Sequence, residues 1–262
     1  MRMNITYTDY RARRRLSGLT ALVTGAGSGI GRATAIALAD HGMQVILVGR
    51  RESTLHETVE EIIDKNGQAI ARSCDLADED SVTLLARTVM DEVAGRLATL
   101  VHSAAIYSMG VIEEVTIGQF DLIFRTNVRA PFQLTKLLLP ALRRARGDIV
   151  FINSSAAFSS PPYVGLYAAS KAALKALADS LRHEVNPEGV RVLNVYPGRV
   201  ATPMQEAISL AEDHEYVPEQ LLQPADIANT IVSALSLSTT AELTDLHIRP
   251  LHKPKGQSAG NH

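Results

Sequence analysis

Short runs of β-branched and aliphatic residues take turns with longer segments of helical period along most of this chain. Leu19 to Thr24 reads as a first strand and Gly29 to His41 as a helix. Val45 to Val48 is a second strand, a helix follows from about Ser53 to Lys65, and Ala69 to Cys74 is a third strand. Asp78 then starts a helix, with Asp80 and Ser81 as rival caps. Leu97 to His102 and Asp148 to Asn153 are strands on either side of a long helical stretch from about Gln119 to Arg144. A helix over Val164 to Val185 leads into a strand at Val190 to Val195. The strands are continuous apolar runs rather than alternating ones, as expected where helices cover both faces of a parallel sheet. Right-handed crossovers between them give a single doubly wound α/β sheet of about seven parallel strands.

The 262 residues suit one large domain. The expected layout is a domain over 17–252, a mobile basic extension over 1–16 and a polar tail over 253–262. The extension carries Arg11-Ala12-Arg13-Arg14-Arg15, read as solvated or as a contact for an acidic partner. Gly198 to Gln223, rich in Pro, Glu and Met, is a loop or a set of short helices. Twenty-six basic against 28 acidic residues leave a net charge of −2, which favours neither nucleic acid nor an anionic membrane as partner. No apolar run is long enough for a membrane span or a signal-peptide core. Cys74, the single cysteine, allows no intrachain disulfide and reads as a small buried hydrophobe, which fits a reducing cytoplasm. None of the eight histidines sits in a metal-binding cluster, so no metal is expected.

The first strand runs straight into Thr24-Gly25-Ala26-Gly27-Ser28-Gly29-Ile30-Gly31, which opens the first helix. Glycines there permit a tight turn and close backbone approach, and leave a helix N-terminus free to hold a pyrophosphate. At the end of strand two an acidic residue would bond both ribose hydroxyls and repel a 2′-phosphate. Gly49-Arg50-Arg51 stands there instead. Gly49 removes the repulsion and the Arg50 guanidinium suits a phosphate, so NADP(H) is preferred over NAD(H) unless the two arginines are only solvated. Asp75 is a candidate for the adenine amino group or a helix-capping carboxylate.

Tyr167 and Lys171 stand four apart at the start of a helix and face the same way. A free tyrosine titrates near pH 10, and an adjacent ammonium favours its phenolate, which suits proton transfer. Ser154 lies 13 residues before Tyr167 at the carboxyl end of a strand, where open α/β sheets bind ligands.

These residues carry a resemblance over nearly the whole chain, from Leu19 to about Leu251, to the short-chain dehydrogenase/reductase family, whose fold is of the Rossmann type. TGAGSGIG at Thr24–Gly31 resembles its TGxxxGxG motif, and YAASK at Tyr167–Lys171 its YxxxK. NVRAPF at Asn127–Phe132 resembles the segment with the active-site asparagine, and YPGRVATPM at Tyr196–Met204 the PG motif. Ser154 fits the family serine in its distance from both Tyr167 and Gly147; Ser155 fits neither. The resemblance implies an oxidoreductase that interconverts an alcohol and a ketone or aldehyde by hydride transfer. It assigns proton transfer to Tyr167, a lowered tyrosine pKa and a hold on the nicotinamide ribose to Lys171, a hydrogen bond on the substrate oxygen to Ser154, and a water linking Lys171 to solvent to Asn127. Cofactor contacts carry over to Gly25, Gly27, Ser28, Gly29, Ile30, Gly31, Arg50, Asp75, Leu76, Ala104, Tyr167, Lys171, Pro197, Gly198, Val200 and Thr202. A homodimer or homotetramer is implied, paired through the helix at Gln119–Arg144 and the one with Tyr167.

Three departures stand out. His102-Ser103-Ala104-Ala105 replaces the family's NNAG, and His102 either bonds in place of an asparagine that ties the central strands or is, as a lone core histidine more often is, structural. Ala241-Glu242-Leu243-Thr244-Asp245 stands where a glycine-rich stretch precedes the last strand. The N-terminal residues have no family counterpart. A non-catalytic nucleotide sensor is the rival reading, disfavoured by the full set of Asn127, Ser154, Tyr167 and Lys171. A nucleotide-sugar epimerase shares YxxxK but has a larger C-terminal region. Met204, Ile208, Leu210, Leu221 and Leu222 in the expected lid point to an uncharged, fairly apolar small-molecule substrate.

Overall fold

The computed structural model describes residues 15–251; the tail over 253–262 and the basic run up to Arg14 lie outside the described residues. Seven parallel strands form one sheet: β1 (Thr20–Thr24), β2 (Gln44–Gly49), β3 (Gln68–Ser73), β4 (Thr99–His102), β5 (Asp148–Ile152), β6 (Arg191–Pro197) and β7 (Asp245–Ile248). Their order across the sheet is β3-β2-β1-β4-β5-β6-β7, so the winding reverses between β1 and β4.

Successive residues of the inner strands enter opposite cores. Ala21 and Val23 of β1 pack into one apolar cluster and Leu22 into the other. Val45 and Leu47 of β2, and Val150 and Ile152 of β5, join the first; Ile46, Val48, Ile149 and Phe151 join the second. This is why the strands read as unbroken apolar runs. The first cluster is closed by α1 (Gly29–Asp40), α2 (Glu52–Asp64) and α8 (Pro224–Leu235) through Leu38, Leu55 and Ile231. Leu16 is buried in the same cluster, although the sequence assigns it to the solvated extension. The second is closed by α3 (Glu79–Glu92), α5 (Ala130–Ala145) and α6 (Gly165–Val185) through Leu85, Leu138 and Leu174. Asp78, not Asp80 or Ser81, caps α3, and its carboxylate accepts the Ser81 N–H. Among the described residues no helix is long and apolar enough to cross a membrane.

The long helical stretch expected from Gln119 to Arg144 is not continuous. It divides into α4 (Ile117–Phe124), a π turn over Arg125–Arg129, and α5. Pro131 has no N–H to offer the carbonyl four residues back, at Asn127, and the ladder widens there. The segment Gly198–Gln223, expected as a loop or short helices, contains α7 (Pro203–Ala211) and a parallel bridge between Val200 and Leu222. The segment before β7, which lacks the glycines of the family, is held by side chains. Arg191 donates to the Leu235 and Ala241 carbonyls, and Glu242 accepts the Val192 N–H.

Of the two readings of His102, the structure supports the core residue rather than the tie between central strands. Its ring stacks on Phe151 and its Nε2 lies 2.8 Å from the Thr135 hydroxyl on α5. Burial pushes its pKa down to about 3, so it is a neutral core residue. The tie comes from Thr24 at the end of β1, whose hydroxyl donates to the Val101 carbonyl and accepts the N–H groups of Ser103 and Ala104. Thr24→Val keeps the shape but leaves those two amides without their acceptor. It should lower unfolding stability by about 1–3 kcal/mol, read as a lower urea midpoint at unchanged slope, and Thr24→Ser should restore most of the loss.

Candidate active site

A cleft of about 860 Å³ opens at the carboxyl ends of β1 and β4, where the winding reverses. Open α/β sheets bind ligands at that position. One end is formed by the glycine turn. Gly29 takes a positive φ of 52°, and a Cβ on Gly31 would lie 2.2 Å from the Gly25 carbonyl oxygen. Ser28 precedes α1 without a side-chain cap, so the first N–H groups of the helix stay free for an anion. This cradle fits a diphosphate.

Most of the expected cofactor contacts line this cleft: Gly25, Ser28, Gly29, Ile30, Gly31, Arg50, Asp75, Leu76, Ala104, Pro197, Gly198, Val200 and Thr202. Gly27 stands behind the wall, where a Cβ would lie 2.4 Å from the Thr54 hydroxyl oxygen. Arg50 is exposed at the rim, beyond Gly49. Asp75 accepts the Ala77 N–H in a local turn and leaves helix capping to Asp78. Thr202 caps α7 by accepting the Gln205 N–H.

Ser154, Tyr167 and Lys171 line the same cleft from β5 and α6. Burial pushes the Tyr167 hydroxyl up to about 12, opposed by a hydrogen bond with Ser154. Burial also pushes the Lys171 ammonium down to about 8. Its Nζ donates to the Ile152 carbonyl at 2.9 Å and lies 5.7 Å from the centre of the Tyr167 ring. Burial is the largest influence on both groups, and the Lys171 ammonium is engaged by a main-chain carbonyl.

Asn127 does not line the cleft. It is buried in the π turn, where its amide accepts the Ile106 N–H and donates to the Ile106 carbonyl and the Ser170 hydroxyl. Ser170 in turn donates to the Tyr167 carbonyl. Asn127 thus joins the loop after β4 to the first turns of α6. Sequence reasoning missed Arg129 on the same π turn, which donates to the Ala77 carbonyl and fixes the loop carrying Asp75 and Leu76. It also missed Tyr107, whose ring packs 4.9 Å from that of Tyr167. The lid differs from expectation as well. Met204 and Ile208 line the cleft, but Leu210 faces solvent and Leu222 lies in the core under Val200. Arg199, Glu212 and His214 line the cleft with them, so its substrate end is more polar than the lid sequence suggests.

A model of the family described as short chain dehydrogenase matches residues 19–213. An uncharacterised oxidoreductase of Staphylococcus saprophyticus is 32% identical over 90% of this chain and 99% of its own length. A 3-oxoacyl-[acyl-carrier-protein] reductase of Synechocystis is 33% identical, over 82% of this chain and 88% of its own. Among solved structures, an alcohol dehydrogenase of the archaeon Thermococcus sibiricus, complexed with 5-hydroxy-NADP, superposes with a TM-score of 0.81. It is 25% identical and the match covers 91% of this chain and 99% of that one. A metagenomic short-chain oxidoreductase in complex with NADP gives a TM-score of 0.80 at 29% identity, over 91% of this chain and 100% of that one.

Burying Lys171 has a cost that can be measured. Its folded pKa lies below the ordinary 10.5, so the unfolded chain binds the extra proton between about pH 8 and 10.5, and the penalty fades as pH rises through that window. Lys171→Met should therefore be more stable than the parent at pH 7, by about 1–3 kcal/mol after loss of the bond to Ile152. Denaturant titrations along a pH series should show this advantage shrinking towards pH 10.

Proposed function

This chain belongs to the short-chain dehydrogenase family, and from that premise we propose that it interconverts an alcohol and a ketone or aldehyde with NADP(H) in preference to NAD(H). The chain is an oxidoreductase of the class that acts on CH–OH groups with a nicotinamide cofactor. The reaction and the roles of individual side chains are our reading. What carries it is the meeting of Ser154, Tyr167 and Lys171 on one wall of a cleft whose far end is a diphosphate cradle.

The bound nicotinamide supplies or accepts the hydride. The protein's own part is the proton and the positioning. In reduction Tyr167 gives its proton to the carbonyl oxygen, and in oxidation it takes the proton of the alcohol. Held as a neutral phenol by burial, it stands in the donor form at neutral pH. Ser154 holds the same oxygen by a hydrogen bond that strengthens as charge develops. Lys171 holds the nicotinamide ribose and balances the phenolate charge as it forms. Asn127 acts as a positioning residue, keeping the Tyr167 turn and the loop at Ile106 in register. Arg50 at the rim, with no acid at the end of β2, suits a 2′-phosphate. Exposed Phe132 on α5 and Leu177 on α6 support pairing of two copies through these helices.

Tyr167→Phe removes one oxygen and keeps the ring that packs on Tyr107. Turnover of ketones should fall by roughly 10²–10⁴ while NADPH binding and the unfolding midpoint are retained. Full activity in this variant would require another proton donor. Calorimetry should give tighter binding of NADPH than of NADH, with Arg50→Ala narrowing the gap; equal affinities in the parent would refute the cofactor preference.

A further inference from the structure

At the end of the cleft away from the glycine turn, two loops flank Tyr167 and each carries another tyrosine. Tyr107, on the loop after β4, sets its ring 4.9 Å from that of Tyr167. Both residues line the cleft, so a substrate whose oxygen rests on the Tyr167 hydroxyl lies beside Tyr107. Tyr163, on the loop before α6, also lines the cleft and is 55% exposed. Its backbone takes a φ of 71°, and among the described residues other than glycine with a positive φ it alone is aromatic. Pro161 to Val164 form a turn, closed by a long bond of 3.5 Å from the Val164 N–H to the Pro161 carbonyl, with Tyr163 at its third position. A positive φ at that position calls for glycine or asparagine, and a bulky residue there is strained. A bond of 2.8 Å from the Gly110 N–H to the Tyr163 carbonyl holds the turn and ties the two loops together. With more than half of its surface uncovered, the Tyr163 side chain gains too little from burial to explain its place there. Backbone strain of this kind gathers at sites that grip a ligand.

We infer that Tyr107 and Tyr163 form an aromatic wall that selects an uncharged alcohol or ketone carrying a flat ring close to the reacting carbon. The inference rests on the oxidoreductase reading above. Met109 on the loop of Tyr107, and Pro161 and Pro162 on the loop of Tyr163, extend the wall with apolar surface along the cleft. Arg199 and Glu212, which line the same end, are paired with each other at 2.7 Å and offer a charged substrate no unmatched partner. Tyrosine and proline rings have few bonds to immobilise, so a rigid flat group meets them with little loss of freedom. Aromatic pairs also attract beyond the area that they bury. A saturated ring of the same size buries at least as much apolar surface but has no π face, and this separates the wall from a merely greasy pocket.

The test is kcat/KM with NADPH for methyl ketones with the same number of carbons: benzylacetone, its cyclohexyl counterpart and the straight-chain member. The parent enzyme should prefer benzylacetone to each of the others by about threefold or more, the size of one aromatic pair. Glycine suits a positive φ, so Tyr163→Gly keeps the turn while removing the ring. Tyr163→Gly and Tyr107→Leu should each reduce the preference about twofold or more, and Tyr163→Phe should keep it. NADPH affinity and the urea midpoint are the controls for folding. A ring that only steadied its loop would change the ketones alike and leave their ratios standing. Equal values in the parent, a preference for the saturated ring or the straight chain, ratios unmoved in Tyr163→Gly or in Tyr107→Leu, or a preference lost in Tyr163→Phe overturns the wall. Each of these leaves the oxidoreductase reading intact. No turnover of any ketone with either cofactor overturns both.

Discussion

The approach of two backbones at the reversal of the sheet governs much of what this protein can do. A Cβ on Gly25 would lie 2.8 Å from the Ala104 nitrogen, so the glycine turn after β1 and the loop after β4 meet main chain to main chain. Thr24 fixes that meeting with one hydroxyl shared among Val101, Ser103 and Ala104. The central parts of the cleft are then placed by rigid elements: the cradle by the start of α1, Ser154 by the end of β5, Tyr167 and Lys171 by the first turns of α6. Catalytic and binding groups held this way need little reorganisation when a ligand arrives.

The stability given up lies near the chemistry. Lys171 is held where burial disfavours its charge, and Tyr167 where burial disfavours its phenolate. A protein that merely bound a nucleotide would gain from replacing that lysine with an apolar residue, a trade between stability and activity common at active sites. The π turn is part of the same economy of placement. By widening the helix before Pro131 it turns Asn127 inward towards Ile106 and Ser170, and Arg129 towards the loop at Ala77. One irregular turn thus steadies both the loop carrying Asp75 and Leu76 and the turn carrying Tyr167. The neutral, deeply buried His102 takes no part in this and serves the core through its stacking on Phe151 and its hydrogen bond with Thr135.

Much of this was legible in the residues. The inner strands announced themselves as apolar runs because both faces are covered, whereas the edge strand β7 was not marked by such a run, and the motifs at Thr24–Gly31 and Tyr167–Lys171 lie at the ends of elements that bring them to one cleft. What escaped was set by tertiary contacts without local periodicity. Arg129 and Thr24 act across 50 or more residues of sequence. The π turn leaves the helical period of its segment almost unchanged, and Pro131 was the signal that could have marked it. The lid misled because apolar residues were counted without knowing which faced inward: Leu210 points to solvent and Leu222 to the core, while Arg199 and Glu212 enter the cleft. The pull of Lys171 on Tyr167 was expected from their spacing, but the ammonium turns to the Ile152 carbonyl.

The central claim is that hydride and proton meet on one substrate carbon and oxygen beside Tyr167. Reduction of a ketone with NADPH deuterated at nicotinamide C4, on one face and then on the other, tests it directly. Mass spectrometry of the alcohol should show one deuterium on the carbinol carbon from one labelled face only, and Tyr167→Phe should make that transfer slower by orders of magnitude. An alcohol without label from either face, or label transferred at the parent rate in Tyr167→Phe, would contradict the account.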